Sequence, residues 1–321
     1  MAYSSKSKRT TKASDVTGFN NKAYSALVED LLNDAFYIGE RSNRGTVATI
    51  RQYAEVIVRK ILNLSSEDYV TLGNKKIVEK LKNTSNSSPL LLNALKQITE
   101  LGNKCTHTQS LERVTDQEVE STLESLFNLY AYLFVSYFRK YRFGENKEIQ
   151  SLFSILPPII RYIALVSLYE DDKENIAIID KLSLSILKAF DEEKAIGWLN
   201  EKQEELKTML SIAPESASDL KNKFGEKIAN TIVSQSPNMY DLCISRVRDV
   251  SITIQKKGRL YYNFENALDL YKKEGIVSGD SDPIIKFNDL MDFVYLGRKA
   301  SENEKLKDKD EYFIMDNLYF E

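Results

Sequence analysis

The 321-residue chain contains one histidine, His107, and only two cysteines, Cys105 and Cys243. The two cysteines are far apart in the sequence and lack the set of companion Cys or His residues that builds a zinc cluster or a disulfide framework. We therefore expect no metal and no other cofactor, and a reducing, cytoplasmic environment. Because histidine exchanges protons near neutral pH, the single copy is the first candidate for a functional residue.

Long uninterrupted apolar runs are also missing. Residues 152–168 are mostly apolar, but they include Pro157, Pro158 and Arg161 and fall short of the roughly 20 apolar residues that span a bilayer. The run predicts a buried helix broken at the prolines, and no membrane partner. The net charge of −3 argues against general coating of nucleic acid, although it is compatible with a local basic patch. Residues 1–20 are predicted to form a flexible basic arm.

Glycine and proline are infrequent, at 12 and 6 residues, which favours long helices. Apolar residues recur at helical spacing through most of the chain, so we predict an all-α fold. An antiparallel helical bundle is expected over residues 21–143, followed by a second, mainly helical domain over 144–321. Residues 129–138 are apolar on nearly every face of their helix, which requires either a central position or pairing with a second copy in a homodimer.

Two segments of the expected bundle together resemble a known family. The first is a helix over 50–60 that carries Arg51, Glu55 and Arg59, and the second is the sequence Leu-Gly-Asn-x-x-x-His over 101–107. Their arrangement resembles the HEPN superfamily and, within it, the branch called DUF4145. The resemblance covers only this third of the chain. It implies an HEPN-like bundle, with metal-independent RNA cleavage or RNA binding in prokaryotic defence, toxin or restriction systems.

The resemblance also implies which residues act. Asn103 and His107 match the polar position and the histidine of the family, so they are the expected catalytic residues. Active relatives place an arginine just before the polar residue, but this chain has Gly102 there. Phosphodiester cleavage needs a cation near the developing phosphorane charge, which another basic residue would have to supply. The candidates are Lys96, Lys104, Arg51 and Arg59.

Each of these residues also has a simpler interpretation. His107 can be a helix-terminal histidine that interacts with the last carbonyl groups, and Asn103 can be a C-terminal turn residue. Glu55 and Arg59 are spaced as an i,i+4 pair on a solvated helix face.

The C-terminal half contains a second group of basic residues. A β-hairpin is predicted near 251–264, where two alternating segments flank a glycine-containing turn. In a winged-helix arrangement this hairpin would be a DNA-contacting wing; the simpler alternative is a hairpin that covers the helical core with solvated lysines. The candidate DNA-binding residues are Arg246 and Arg248 on a recognition helix, and Lys256, Lys257 and Arg259 on the wing.

Two classes of function follow from the sequence. The first is an RNA-binding effector or metal-independent endoribonuclease of prokaryotic defence. In it, Lys104, Arg51 and Arg59 bind RNA next to the expected catalytic residues Asn103 and His107. The second is a noncatalytic subunit or DNA-binding adaptor that joins protein partners of a defence operon.

Overall fold

The structure is a computed structural model that describes residues 21–38, 41–65, 67–106, 111–259, 261 and 264–299. The basic arm expected over 1–20 lies outside these residues. Every regular element in the described ranges is a helix, which confirms the all-α fold. The α-helices are α1 (Asn21–Leu32), α2 (Asn43–Leu62), α3 (Lys75–Thr84), α4 (Pro89–Thr106), α5 (Asp116–Lys140), α6 (Lys147–Phe153), α7 (Pro158–Asp171), α8 (Ile176–Ala189), α9 (Glu192–Glu201), α10 (Gln203–Thr208), α11 (Pro214–Phe224), α12 (Glu226–Gln235), α13 (Met239–Lys257), α14 (Phe264–Glu274) and α15 (Asp282–Tyr295), with a π-helical turn at Asn33–Tyr37.

Local sequence determines where several of these helices begin. Thr115 caps α5: its hydroxyl accepts a hydrogen bond from the Glu118 backbone N–H, and the Glu118 carboxylate accepts one from the Thr115 N–H. These two bonds satisfy donors that the first helical turn leaves unpaired. Ser42 caps α2 in a similar way, by accepting from the Gly45 N–H. Pro158 is the first residue of α7, a position where a missing N–H costs nothing.

The apolar run at 152–168 is split between two helices, as the prolines predict. α6 ends at Phe153 and α7 starts at Pro158, while Arg161 is buried inside the protein. Among the described helices, none combines the length and the apolar character that a membrane crossing requires.

The β-hairpin predicted near 251–264 is wrong. Residues 251–257 are the last turns of α13, which starts after the cap residue Asn238 and ends at Gly258 with a φ of 85°. No strand occurs in the part of the chain that the structure describes, where the only β-type contact is a single bridge between Leu210 and Asn238. The basic residues therefore lie on or just after one long helix, and the described residues contain no wing.

The apolar helix α5 occupies the centre of the structure. It packs against α2, α4, α7 and α15. Phe134 and Phe138 contact Phe153, with ring centroids 5.6 and 5.2 Å apart, and Phe134 also lies 6.2 Å from Phe287. Of the two alternatives for residues 129–138, the chain adopts the central one. The prediction of a dimer through this face is therefore wrong, because the chain's own helices bury the face.

One hydrophobic core runs from α1 to α15 and crosses the expected domain boundary at 143/144. The Tyr137 hydroxyl on α5 donates to the Pro283 carbonyl on α15, at 2.9 Å, which links the two parts of the chain. A smaller cluster of Val47, Cys105 and Val114 lies where α2, the end of α4 and the residues before α5 meet. Gly102 and Asn103, near the end of α4, lie at this end of the protein.

Candidate functional site

The Arg51 side chain of α2 lies against Gly102 of α4. Gly102 is buried, and a Cβ atom added there would overlap Cδ of Arg51 and lie 2.7 Å from its Cβ. Glycine therefore allows the Arg51 side chain to lie directly on the α4 backbone. Asn103 is the next residue of α4, so the contact brings Arg51 to the turn that carries the polar residue of the motif.

The Arg51 side chain is only 13% exposed and forms an ion pair with Glu55, one turn further along α2, at 3.4 Å. Its Nε has no hydrogen-bond acceptor among the described residues. Burial raises the pKa of Glu55, and the charge of Arg51 opposes that rise. The pair therefore leaves one guanidinium donor unused beside α4.

Arg44 fixes the last turn of α4. Its Nη1 donates to the carbonyl oxygens of Lys104 and Cys105, at 3.0 and 3.2 Å, and its Nη2 donates to the Glu112 carbonyl, at 3.1 Å. A cation is favourable at a helix C-terminus, where carbonyl groups lack partners and the macrodipole is negative. Sequence reasoning missed Arg44, because a basic residue in the first turn of one helix gives no sign that it caps another.

Lys104 lies between two carboxylates. Its Nζ is 3.0 Å from Glu112 and 3.0 Å from Glu118, and hydrogen bonds to these two groups raise the pKa of Lys104. Its charge is therefore already balanced by two acids, and a phosphate would have to compete with them. Lys104 is therefore less available to an anionic ligand than an unpaired lysine would be.

Asn103 is half-buried inside α4, three residues before the helix ends at Thr106. It thus lies in the last turn of α4, and its side-chain amide has no hydrogen bond to any other described residue. His107 lies outside the described residues; in the sequence it directly follows Thr106, whose hydroxyl donates to the Gly102 carbonyl at 3.0 Å. Burial raises the pKa of the nearby Cys105 thiol, which disfavours its use as a nucleophile.

Arg59 does not join Arg51. The two residues are eight positions apart on α2, or about 12 Å along the helix axis. Arg59 donates to the Ser65 carbonyl, at 2.9 Å, and its guanidinium lies 5.9 Å from the centre of the Tyr24 ring. These contacts hold the chain that leaves α2.

The five basic residues of the C-terminal half do not form one exposed surface. Arg246 is buried and paired with Asp180, and Arg259 donates to the Lys188 and Phe190 carbonyl oxygens at the end of α8, at 2.9 and 3.4 Å. The side chains of the remaining three are exposed along α13: Arg248, Lys256 and Lys257.

In the described ranges, no three His, Cys, Asp or Glu side chains come together in a group that could hold a metal ion.

No protein-family model, no curated protein sequence and no solved structure matches this chain.

Proposed function

We propose that the end of the protein formed by α2, α4 and the start of α5 binds RNA and cleaves it without a metal ion, in the setting of prokaryotic defence. The observation that supports this most is the position of Arg51 across Gly102. The motif on α4 lacks its arginine, and the α2–α4 contact brings an arginine to the same turn from another helix.

The three side chains have distinct roles in this proposal. His107 transfers the proton between the attacking 2′-hydroxyl or the leaving oxygen and solvent. Arg51 stabilises the negative charge that develops on the phosphorane, for which a partly buried guanidinium is well suited. Asn103 donates through its unused amide and orients the phosphate. Arg44 keeps the last turn of α4 in place.

The test is RNA cleavage by the purified full chain in the presence of EDTA. His107→Ala is expected to slow cleavage by about 100-fold or more, the size of effect expected when a general acid or base is lost. Arg51→Ala is expected to slow it by about 100- to 1000-fold, as for the loss of an oxyanion-stabilising donor. Asn103→Ala should have a smaller effect, because it only orients. Arg142→Ala, at an exposed ion pair with Asp172, is the control and should leave the rate unchanged.

Two outcomes would contradict parts of the proposal. If the wild-type protein binds RNA and leaves it intact, the catalytic assignment is wrong and RNA binding remains. If RNA binding is absent or does not respond to Arg51→Ala, the site itself is wrong.

A noncatalytic subunit is the second candidate, because one face of α12 is apolar and exposed. Ile228 and Ile232 are one helical turn apart on α12 and are 54% and 38% exposed, and Phe224, at the end of α11, is 46% exposed. Apolar side chains grouped in this way often mark a protein contact. If the chain forms a homodimer through this face, Ile228→Glu should convert it to a monomer in analytical ultracentrifugation. Ile252→Glu on α13, at a residue that is 46% exposed, is the matched control. If the wild-type protein is a monomer at tens of micromolar, the proposed homodimer is wrong.

A further inference from the structure

Arg298 is a buried arginine held between two aromatic rings. It lies three residues after the end of α15 and is 8% exposed. The centre of its guanidinium is 4.2 Å from the centre of the Phe264 ring and 4.7 Å from that of Phe36. Favourable cation–π contacts with the two rings therefore stabilise its charge. The nitrogen atoms along the edge of the group are left for hydrogen bonds.

One edge of this guanidinium makes no hydrogen bond. Neither Nε nor Nη2 of Arg298 has an acceptor among the described residues, and both atoms are shielded from solvent. These two nitrogens are adjacent and donate in parallel, which is the geometry that binds both oxygens of a carboxylate or two oxygens of a phosphate. Two vacant donors on the same edge match a single bidentate oxyanion.

The groups that act on the charge of Arg298 are the hydroxyls of Tyr130, Tyr53 and Tyr37. The hydroxyl of Tyr130 donates to that of Tyr53, at 2.6 Å, and a hydrogen bond with Tyr130 supports the charge of Arg298. Burial raises the pKa of Tyr53 well above its usual value, so this tyrosine is neutral at physiological pH. A buried cation without an anion is costly, and cation–π contacts recover only part of that cost.

We propose that the Nε–Nη2 edge of Arg298 is a binding site for a small oxyanion group, a carboxylate or a phosphate. The Phe264 and Phe36 rings favour a ligand that approaches in the plane of the guanidinium. Burial limits this ligand to a small ion or the end of a small molecule. The site is independent of the RNA site proposed above, because it uses none of the same residues.

Arg161 is a second buried arginine, and one nitrogen of the same edge of its guanidinium forms a hydrogen bond. It is 3% exposed, and its Nη2 donates to the Tyr261 hydroxyl, at 3.0 Å, so that only Nε lacks an acceptor. Arg161 therefore has no vacant edge. It is a matched control for the effect of changing a buried arginine.

The first experiment measures thermal unfolding and calorimetric binding of the full wild-type chain with phosphate, formate or chloride at constant ionic strength. An anion that binds the folded state alone raises the unfolding temperature progressively with its concentration. Stabilisation by phosphate or by formate beyond that by chloride is expected, and the stronger of the two identifies the preferred oxyanion. If neither exceeds chloride, the proposal is wrong.

The second experiment locates the site. Arg298→Lys keeps the charge but loses the planar edge, so the Kd for the preferred anion should rise at least about tenfold, whereas Arg161→Lys should leave it unchanged. An unchanged Kd in Arg298→Lys would overturn the assignment. If that variant does not fold, the Nε–H resonance of Arg298 in the wild-type protein decides: it should move on titration, and a fixed resonance would overturn the assignment as well.

Discussion

Arg246 of α13 and Asp180 of α8 form an ion pair inside the protein, with 2% and 1% of their side chains exposed. The second carboxylate oxygen of Asp180 has no hydrogen-bond partner among the described residues. Removing two charges from water is costly, so such a pair adds little to stability by itself, while removing one partner leaves a buried charge alone.

The first prediction follows from this pair. Arg246→Met should lower the free energy of unfolding by about 3–5 kcal/mol, because Asp180 stays buried without its cation. The double variant Arg246→Met with Asp180→Leu should regain most of that loss. Urea unfolding followed by circular dichroism measures both. A double variant as unstable as the single one would show that Arg246 contributes through packing and its other contacts, and not through this charge pair.

The second prediction concerns Gly102. A methyl group at this position would overlap Arg51, so Gly102→Ala should destabilise the protein by about 1–3 kcal/mol, the usual cost of overpacking. Gly197→Ala on α9 is the control: no atom lies within 4 Å of the added Cβ, so the variant should be more stable by about 0.5–1 kcal/mol. Adding Arg51→Ala to Gly102→Ala removes the overlap with Cγ and Cδ but keeps Cβ, which lies 2.7 Å from the added atom, so the double variant should regain only part of the lost stability. A Gly102→Ala protein of wild-type stability would contradict the close contact of α2 with α4.

The third prediction is a loss of stability at alkaline pH. Burial raises the pKa of Tyr53 and Tyr295 well above their usual value. In the unfolded chain tyrosines ionise near pH 10, at about their reference pKa. Below that pH both states keep the proton; above it only the unfolded state releases it, so the free energy of unfolding falls as pH rises. Denaturant unfolding between neutral pH and pH about 11 measures the effect.

Tyr53→Phe gives this prediction a specific check. The variant removes one raised pKa and should make the alkaline decline shallower. At neutral pH it should cost about 1–3 kcal/mol, because the buried Tyr130 hydroxyl loses its acceptor. Tyr69→Phe, at a residue 85% exposed, should change neither quantity. An alkaline slope equal to the wild type in Tyr53→Phe would contradict the assigned shift.

Helix starts could be predicted well wherever a side chain makes a local bond. Thr115 and Glu118 lie three residues apart and satisfy each other's backbone groups, so the sequence alone locates the start of α5. Pro157 and Pro158 locate the start of α7 by the same kind of local rule. The all-α fold follows from such rules together with helical periodicity.

The hairpin prediction failed because alternation over five residues does not distinguish a strand from the end of a helix. Thr253 donates to the Asp249 carbonyl one turn earlier, and Ser251 faces α9, where it donates to Glu192. The sequence predicts a hairpin turn at Gly258, whereas this residue ends α13 with a positive φ. A glycine just after two lysines is equally typical of a helix C-terminus, where cations and a left-handed residue are favoured.

The candidate site could be predicted only in part. The sequence identifies Asn103 and Arg51 as candidates, but their proximity depends on how α2 and α4 pack. In the sequence, Gly102 stands at the position where the resemblance implies an arginine. In the folded protein, Gly102 provides the space that the Arg51 side chain occupies. Long-range contacts of this kind depend on the whole core, and no local pattern encodes them.

The central position of α5 constrains how this protein can be divided or recombined. Phe134 and Phe138 pack against Phe153 and Phe287, which come later in the chain. A gene fragment ending after residue 143 would expose these rings to solvent. The N-terminal helices are therefore not an independently folding unit, and an insertion or fusion is best placed outside the segments that cover α5.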